Sequence, residues 1–299
     1  MTGAAPAAPA DAHDRFADDT AFAREIAVEA GRILLARYER VERIDHKSAK
    51  DVVTEVDHLS EALIIAAIRD RFPGDGILAE ESGEHRGRDG AAGQPEAADR
   101  VGAAQRGRAP GRTWIIDPLD GTVNYANGIP FFCVSVGLVV DGRPAAGAVH
   151  DPMRDETFSA SADGPALLDG RVLTASSKER LEDLVIHMAL GGRAVATRAR
   201  AVRRAIRVSR NMGSAALGLA YVAGGRFDAF IQSGGMSAWD IAAAGLIAER
   251  AGAVVTDAEG GPWFDVDRGT RSFGALAAPP AHHAEILRLA RQPEPATRR

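Results

Sequence analysis

A chain of 299 residues, 45 % of them apolar, is long enough for one large or two modest cores, which excludes general disorder. Its 41 acidic and 36 basic residues leave a net charge of −5, so nothing in the total argues for nucleic acid or a membrane surface as partner. The single cysteine, Cys133, excludes an internal disulfide, and the start MTGAAPAAPADAHD has neither a basic nor an apolar leader region, so a cytoplasmic setting is expected.

Residues 1–13 read as an Ala/Pro-rich disordered tail. Phe22, Ile26, Ile33 and Leu34 recur at helical spacing, as do Leu59, Leu63 and Phe72, which predicts helices near 18–40 and 57–71. Between them lies DVVTEVD, closed by Asp57. PGDG then predicts a turn, and ILAEE a short strand running into Glu80 and Glu81. The polar stretch 84–112 has no periodicity and is expected to form a mobile loop. WIID predicts a strand. FFCVSVGLVV and RPAAGAVH predict a hairpin around Asp141-Gly142, which supplies the positive φ angles of a tight turn. The apolar run 131–140 is too short to span a bilayer as a helix. Further on, helices at 193–206, 214–223 and 240–251 alternate with strands at 184–188, 227–232 and 253–257. That alternation predicts a second α/β unit, dividing the chain into halves at 14–160 and 161–299.

Carboxylates recur at the ends of these elements. In WIIDPLDGTVNY, Asp117 and Asp120 stand where a strand gives way to a turn that Pro118 pre-shapes. Asp117, Asp120 and the Leu119 carbonyl offer the hard oxygens that magnesium takes, while the N–H groups of Gly121 and Thr122 suit a phosphate. D-P-L-D-G is equally compatible with a plain type I turn. Glu80, Glu81, Asp57 and Asp240 have the same character. Asp240 opens a helix apolar enough to be buried, where it reads as an N-cap or as a rigidly held ligand. Cys133 and Ser135, in an apolar strand, read as core residues, and His150 and His187 as satisfied core or rim groups; Trp114 and Trp239 read as packing beside the aspartates. Lys47 and Lys50 flank the start of DVVTEVD, as an exposed polar loop or near a phosphate.

WIIDPLDGTVNY and WDIAAAGLIAERAG, with AEESG upstream and GSAALGLAYVAGG between them, resemble the signatures of the inositol monophosphatase family, in order over about residues 16–290. The resemblance implies an α/β (α+β) fold, a five-layered α-β-α-β-α sandwich, usually dimeric and lithium-sensitive. It implies a small phosphorylated substrate and about two or three magnesium ions per site, with manganese also suited to hard oxygens. By matching position, Glu80, Asp117, the Leu119 carbonyl, Asp120 and Asp240 resemble the metal ligands, so that the N-terminal half carries most of them. Gly121 and Thr122 resemble the phosphate-binding turn. Glu81, Thr122 and Asp57 resemble the group that orients the attacking water, in a mechanism with metal-activated water and no phosphoenzyme.

Gly213, Ser214 and Ala215 resemble the family's substrate-gripping backbone segment. A glutamate grips the sugar hydroxyls where this chain has Ser233, so a charge-assisted acceptor is missing. Inositol 1-phosphate is the leading substrate, with histidinol phosphate, fructose 1,6-bisphosphate and 3′-phosphoadenosine nucleotides as alternatives. Residues 184–227 hold eight arginines and no acidic residue, and Arg200, Arg203, Arg204 and Arg207 are expected on one helical face. That face reads as solvated, as an attractor of anionic substrates, or as the contact of a regulatory protein that binds RNA or protein through this fold.

Overall fold

The computed structural model describes residues 14–40, 44–48, 51–87, 111–190 and 196–291. The expected tail at 1–13, most of the expected loop at 84–112 and the side chains of Lys47 and Lys50 lie outside the described residues.

The chain begins with α1 (Ala17–Arg37), followed by a small antiparallel pair, β1 (Ile44–Ser48) and β2 (Asp51–Thr54), and then α2 (Glu55–Arg71). β3 (Gly76–Ala79) and β4 (Gly83–His85) come next, so the expected loop opens as a strand, with Leu78 facing Glu84. β5 (Arg112–Asp120) lies parallel to β3. A short helix α3 (Thr122–Ala126) separates it from β6 (Cys133–Val140) and β7 (Arg143–Asp151). The hairpin between the last two turns on Asp141 and Gly142, at φ 49° and 78°, as their residue types require. β8 (Glu156–Ser161), β9 (Leu167–Leu168) and β10 (Arg171–Val172) complete an eight-stranded sheet ordered β10-β9-β8-β7-β6-β5-β3-β4. This sheet therefore takes its strands past residue 160, up to Val172.

The rest of the chain forms β11 (Val185–Ala189), α4 (Ala196–Ala205), β12 (Val208–Arg210), α5 (Ala215–Ala223) and β13 (Ala229–Met236). After these come α6 (Ala238–Arg250), β14 (Val254–Thr256), β15 (Phe273–Ala278) and α7 (Pro280–Arg291). The second sheet runs β12-β11-β13-β15-β14, with β12 and β13 parallel to β11 and β15 antiparallel to its neighbours. α4 stops at Ala205, so Arg207 lies beyond the helix face on which it was expected, and its guanidinium pairs with Asp183 at 2.5 Å.

Three apolar clusters order the layers. α1 and α2 bury Phe22, Ile26, Leu34, Ile64 and Ile68 against one face of the large sheet, where Trp114 packs edge-on to Phe22. α5 and α6 are rich in alanine and buried on nearly every side, as helices between two sheets must be. α4 and α7 cover the outer face of the small sheet through Val202, Ile286 and Leu289. The result is the expected α-β-α-β-α sandwich, with α5 and α6 as its middle layer.

The small sheet carries a pH liability where it meets that middle layer. His187, buried on β11, stacks on Phe230 with ring centroids 4.9 Å apart, and its Nε2 accepts the Met212 N–H at 3.2 Å. Burial pushes its pKa from 6.5 down to about 4. Below pH 6.5 the unfolded chain therefore binds the proton first. Stability is complete above that value, falls as pH drops through the interval towards 4, and is constant below it. Between pH 7 and pH 5 the loss due to His187 should be about 2 kcal/mol. The measurement is the difference in urea-unfolding free energy between the wild type and His187→Gln, which gains no charge.

Candidate active site

β5 does not end in a simple turn at D-P-L-D-G. Asp117 faces Ser135 and Asp120 faces Cys133 across to β6, so Pro118 and Leu119 together oppose the single residue Val134. This is a β-bulge, a place where a proline without an N–H is tolerated. The bulge is anchored on both sides: Ser60 Oγ of α2 donates to the Pro118 carbonyl at 2.9 Å, and the Leu119 N–H donates to Asp117 Oδ1 at 3.0 Å. Gly121 follows at φ 97°, and a Cβ there would lie 3.0 Å from the Phe131 carbonyl, so only glycine fits.

Two further carboxylates arrive on helix starts with the same local design. α2 is capped by Thr54, and Asp57 at the third helical position reaches back, its Oδ2 accepting from the Thr54 N–H at 2.8 Å and Oγ1 at 2.6 Å. α6 is capped by Ser237, whose N–H donates to Asp240 Oδ2 at 2.6 Å. Asp240 is thus the third residue of its helix, not the opening one, and both aspartates are held by a capping box. Asp57 Oδ1 accepts from Thr122 Oγ1 at 3.2 Å, and the same hydroxyl lies 3.0 Å from the Leu119 carbonyl.

Asp120 is tied to the middle layer. Its Oδ2 accepts from Ser214 Oγ at 2.5 Å and from the Ala216 N–H at 2.7 Å, at the start of α5. Ser214 is accordingly buried, and its hydroxyl serves a carboxylate while also capping α5 through the Leu217 N–H. Of the segment Gly213, Ser214 and Ala215, only Gly213 lines the cleft. Asn124 braces it, donating to the Met212 and Phe131 carbonyls at 2.7 Å each.

Asp117, Asp120 and Asp240 meet. Each offers an oxygen, and these oxygens all lie within 4.8 Å of one another. Glu80 joins them on the wall of a cleft of about 180 Å³ that also takes in Leu119, Gly121, Thr122, Trp239 and Arg271. The Glu81 and Ser82 N–H groups donate to the buried Glu61 carboxylate at 2.8 and 3.0 Å, which fixes the chain beside Glu80. Asp57 and Glu81 are not in the cleft lining, and Asp57 reaches it through Thr122. Ser233 is exposed and also outside the lining; Gly235, two residues on, contributes instead. β13 loses register with β15 between Gln232 and Met236, which carries that stretch away from the strand's regular course.

The electrostatics follow from this crowding. Burial first, then the charges of Glu80, Asp120 and Asp240, hold Asp117 well above the usual carboxylate range. Asp240 is raised by burial and by Asp120. Asp120 is raised by burial, against the hydrogen bonds from Ser214 and the start of α5. Burial and Asp120 likewise push the Cys133 thiol up, consistent with a core residue. Ser135 is buried too, and its Oγ donates to the Trp239 carbonyl at 3.2 Å, tying β6 to α6. A lining of carboxylates and a carbonyl, crowded enough to disfavour their own ionisation, fits a hard divalent cation such as magnesium or manganese and does not fit a thiolate-seeking metal.

Three residues at the site escaped the sequence reading: Glu61, Asn124 and Arg271. Glu61 lies away from the Leu59 and Leu63 that predicted its helix: the face that is buried carries Ile64 and Ile68, with Asp57 and Glu61 beside them, while Leu59 is exposed. Trp114 was expected beside the aspartates, but it packs on Phe22 and Phe72 and donates to Asp75 at 2.9 Å.

Residues 17–294 match the model of a family described as the inositol monophosphatase family. Nus factor SuhB of Pseudomonas aeruginosa is 35 % identical over 273 residues, which is 84 % of this chain and 91 % of that protein. Inositol-1-monophosphatase of Mesorhizobium japonicum is 35 % identical over 245 residues, 79 % of this chain and 84 % of that one. The solved IMPase of Thermotoga maritima superposes with a TM-score of 0.77 at 30 % identity, covering 91 % of this chain and 96 % of its own.

Proposed function

The chain belongs to the inositol monophosphatase family, and from that premise we propose that it is a divalent-cation-dependent phosphatase of small polyol phosphate monoesters. Inositol 1-phosphate is the first candidate, on the strength of relatives named for that activity. The observation that carries the reading is the meeting of Asp117, Asp120 and Asp240, brought from the large sheet and from the middle helix layer to within 4.8 Å. Glu80, Asp117, the Leu119 carbonyl, Asp120 and Asp240 would hold magnesium or manganese. When bound, such a cation supplies the Lewis acidity that polarises the phosphoryl group and makes water a nucleophile near neutral pH.

The protein's own groups divide the remaining work. Gly121 brings the backbone close, and with Thr122 it offers N–H groups to phosphate oxygens. Thr122 Oγ1, already hydrogen-bonded to Asp57, can accept from the attacking water, and Asp57 is the carboxylate behind it that takes up the proton's charge. Glu81, outside the lining on a backbone pinned by Glu61, would have to turn its carboxylate toward the cleft to serve as a second acceptor. Gly213, which lines the cleft, would face the organic part of the ester.

The test is phosphate release from inositol 1-phosphate, histidinol phosphate, fructose 1,6-bisphosphate and a 3′-phosphoadenosine nucleotide, with magnesium, with chelator and with lithium. Release that needs the divalent cation and is suppressed by lithium supports the reading. Release from none of them favours instead a regulatory role, for which relatives named Nus factor are the motive. Thr122→Ala should lower kcat about a hundredfold with KM nearly unchanged in steady-state assays, since the lost hydroxyl orients water and not the ester.

A further inference from the structure

One wall of the cleft takes no part in the chemistry above. Where β13 leads into α6, a Cβ on Gly234 or Gly235 would meet no heavy atom within 4 Å, so this side is open. Arg271 lines the same cleft and is the one cationic side chain to do so among the described residues. Its backbone is bolted to the frame of the site: its N–H donates to Ser237 Oγ at 2.9 Å, and its carbonyl accepts the Gly235 N–H at 3.2 Å. Ser237 is the cap of the helix that carries Asp240, so Arg271 is registered to the carboxylate cluster through a single hydroxyl. It sits at φ 57°, the left-handed region that a side chain bearing a Cβ adopts at a cost.

A guanidinium fork matches the oxygens of a phosphate or carboxylate in pairs, and gains far less from a neutral hydroxyl. The exposed Ser233 near this wall offers no charged acceptor for a sugar's hydroxyls. We infer that Arg271 is a specificity-determining residue, and that the cleft favours a phosphate ester whose organic part carries a second anion held by Arg271 beside the Gly234-Gly235 opening. The inference rests on the phosphomonoesterase reading above.

Two matched pairs test it: fructose 1,6-bisphosphate against fructose 1-phosphate, and 6-phosphogluconate against glucose 6-phosphate, each assayed with magnesium. Arg271→Asn removes the charge while tolerating the left-handed backbone, and Arg271→Lys retains a charge without the fork. The wild type should prefer the doubly anionic member of at least one pair by about tenfold in kcat/KM, and Arg271→Asn should erase most of that preference, with Arg271→Lys intermediate. Preference in the first pair alone assigns a second phosphoryl group, and in the second pair alone a carboxylate. No preference in either pair, or a preference that Arg271→Asn leaves intact, overturns the inference. Absence of phosphate release from every ester by the wild type would remove the underlying reading, and the inference with it.

Discussion

Asp117→Asn is expected to lower kcat/KM at least about a thousandfold and, in the same protein stripped of divalent ions, to raise the melting temperature. The two effects have one cause. Asp117 is 1 % exposed and shares its surroundings with Glu80, Asp120 and Asp240. Negative charge so placed is tolerable only when a cation joins it. Asparagine keeps the shape and keeps an oxygen to accept the Leu119 N–H, so the bulge survives. What is lost is one charge of the set that would hold the cation. The metal-free variant should gain on the order of 2 kcal/mol, a shift of a few degrees in a chain of this size. The wild type should gain stability as magnesium is added, by mass action, and the variant much less. Melting curves recorded against magnesium concentration should therefore cross. An active variant, or a wild type whose melting temperature ignores magnesium, would contradict the placement of a cation among these groups.

What was legible in advance was local. The spacing of Phe22, Ile26 and Leu34 defines the buried face of α1, and Asp141-Gly142 can make little but a tight hairpin. The clustered carboxylates were legible as motifs, yet their mounting was not. The bulge at Asp117 and Asp120 exists only against β6, and the hydrogen bonds to Asp120 come from residues 94 and 96 positions away. Thr54-x-x-Asp57 and Ser237-x-x-Asp240 do carry a local signal, the capping box, and reading it would have placed both aspartates one turn inside their helices. Ser214 illustrates the opposite failure: a hydroxyl in a substrate-like motif is spent on Asp120, a fact that only the assembled sandwich reveals. Arg271 had no signal at all, since nothing in DRGTRSFG distinguishes it from the other arginine of that loop.

The packing that sets Asp240 against Asp117 and Asp120 leads to a second large effect, at a residue that touches no ligand. Gly137 and Gly147 face each other across β6 and β7, and α6 lies directly on them. A Cβ on Gly147 would come within 2.8 Å of both Cα and Cβ of Ala243, and one on Gly137 within 3.1 Å of the Ala243 nitrogen. Neither glycine has a positive φ, so the requirement is space. The colliding atoms belong to backbone or to alanine and have no rotamer to give, so the helix itself must lift. Gly147→Ala should therefore cost about 2 kcal/mol of stability in urea unfolding. It should also weaken magnesium binding, because Asp240 lies one helical turn ahead of Ala243 and moves with it. A displaced ligand raises the magnesium concentration needed for half-maximal rate, whereas simple loss of folded protein lowers the maximal rate and leaves that concentration unchanged. Gly137→Ala, with its gentler contact, should show the same pattern at smaller amplitude. If Gly147→Ala unfolds at wild-type urea and needs no more magnesium, the close seat of α6 on the large sheet is not what holds Asp240 in place.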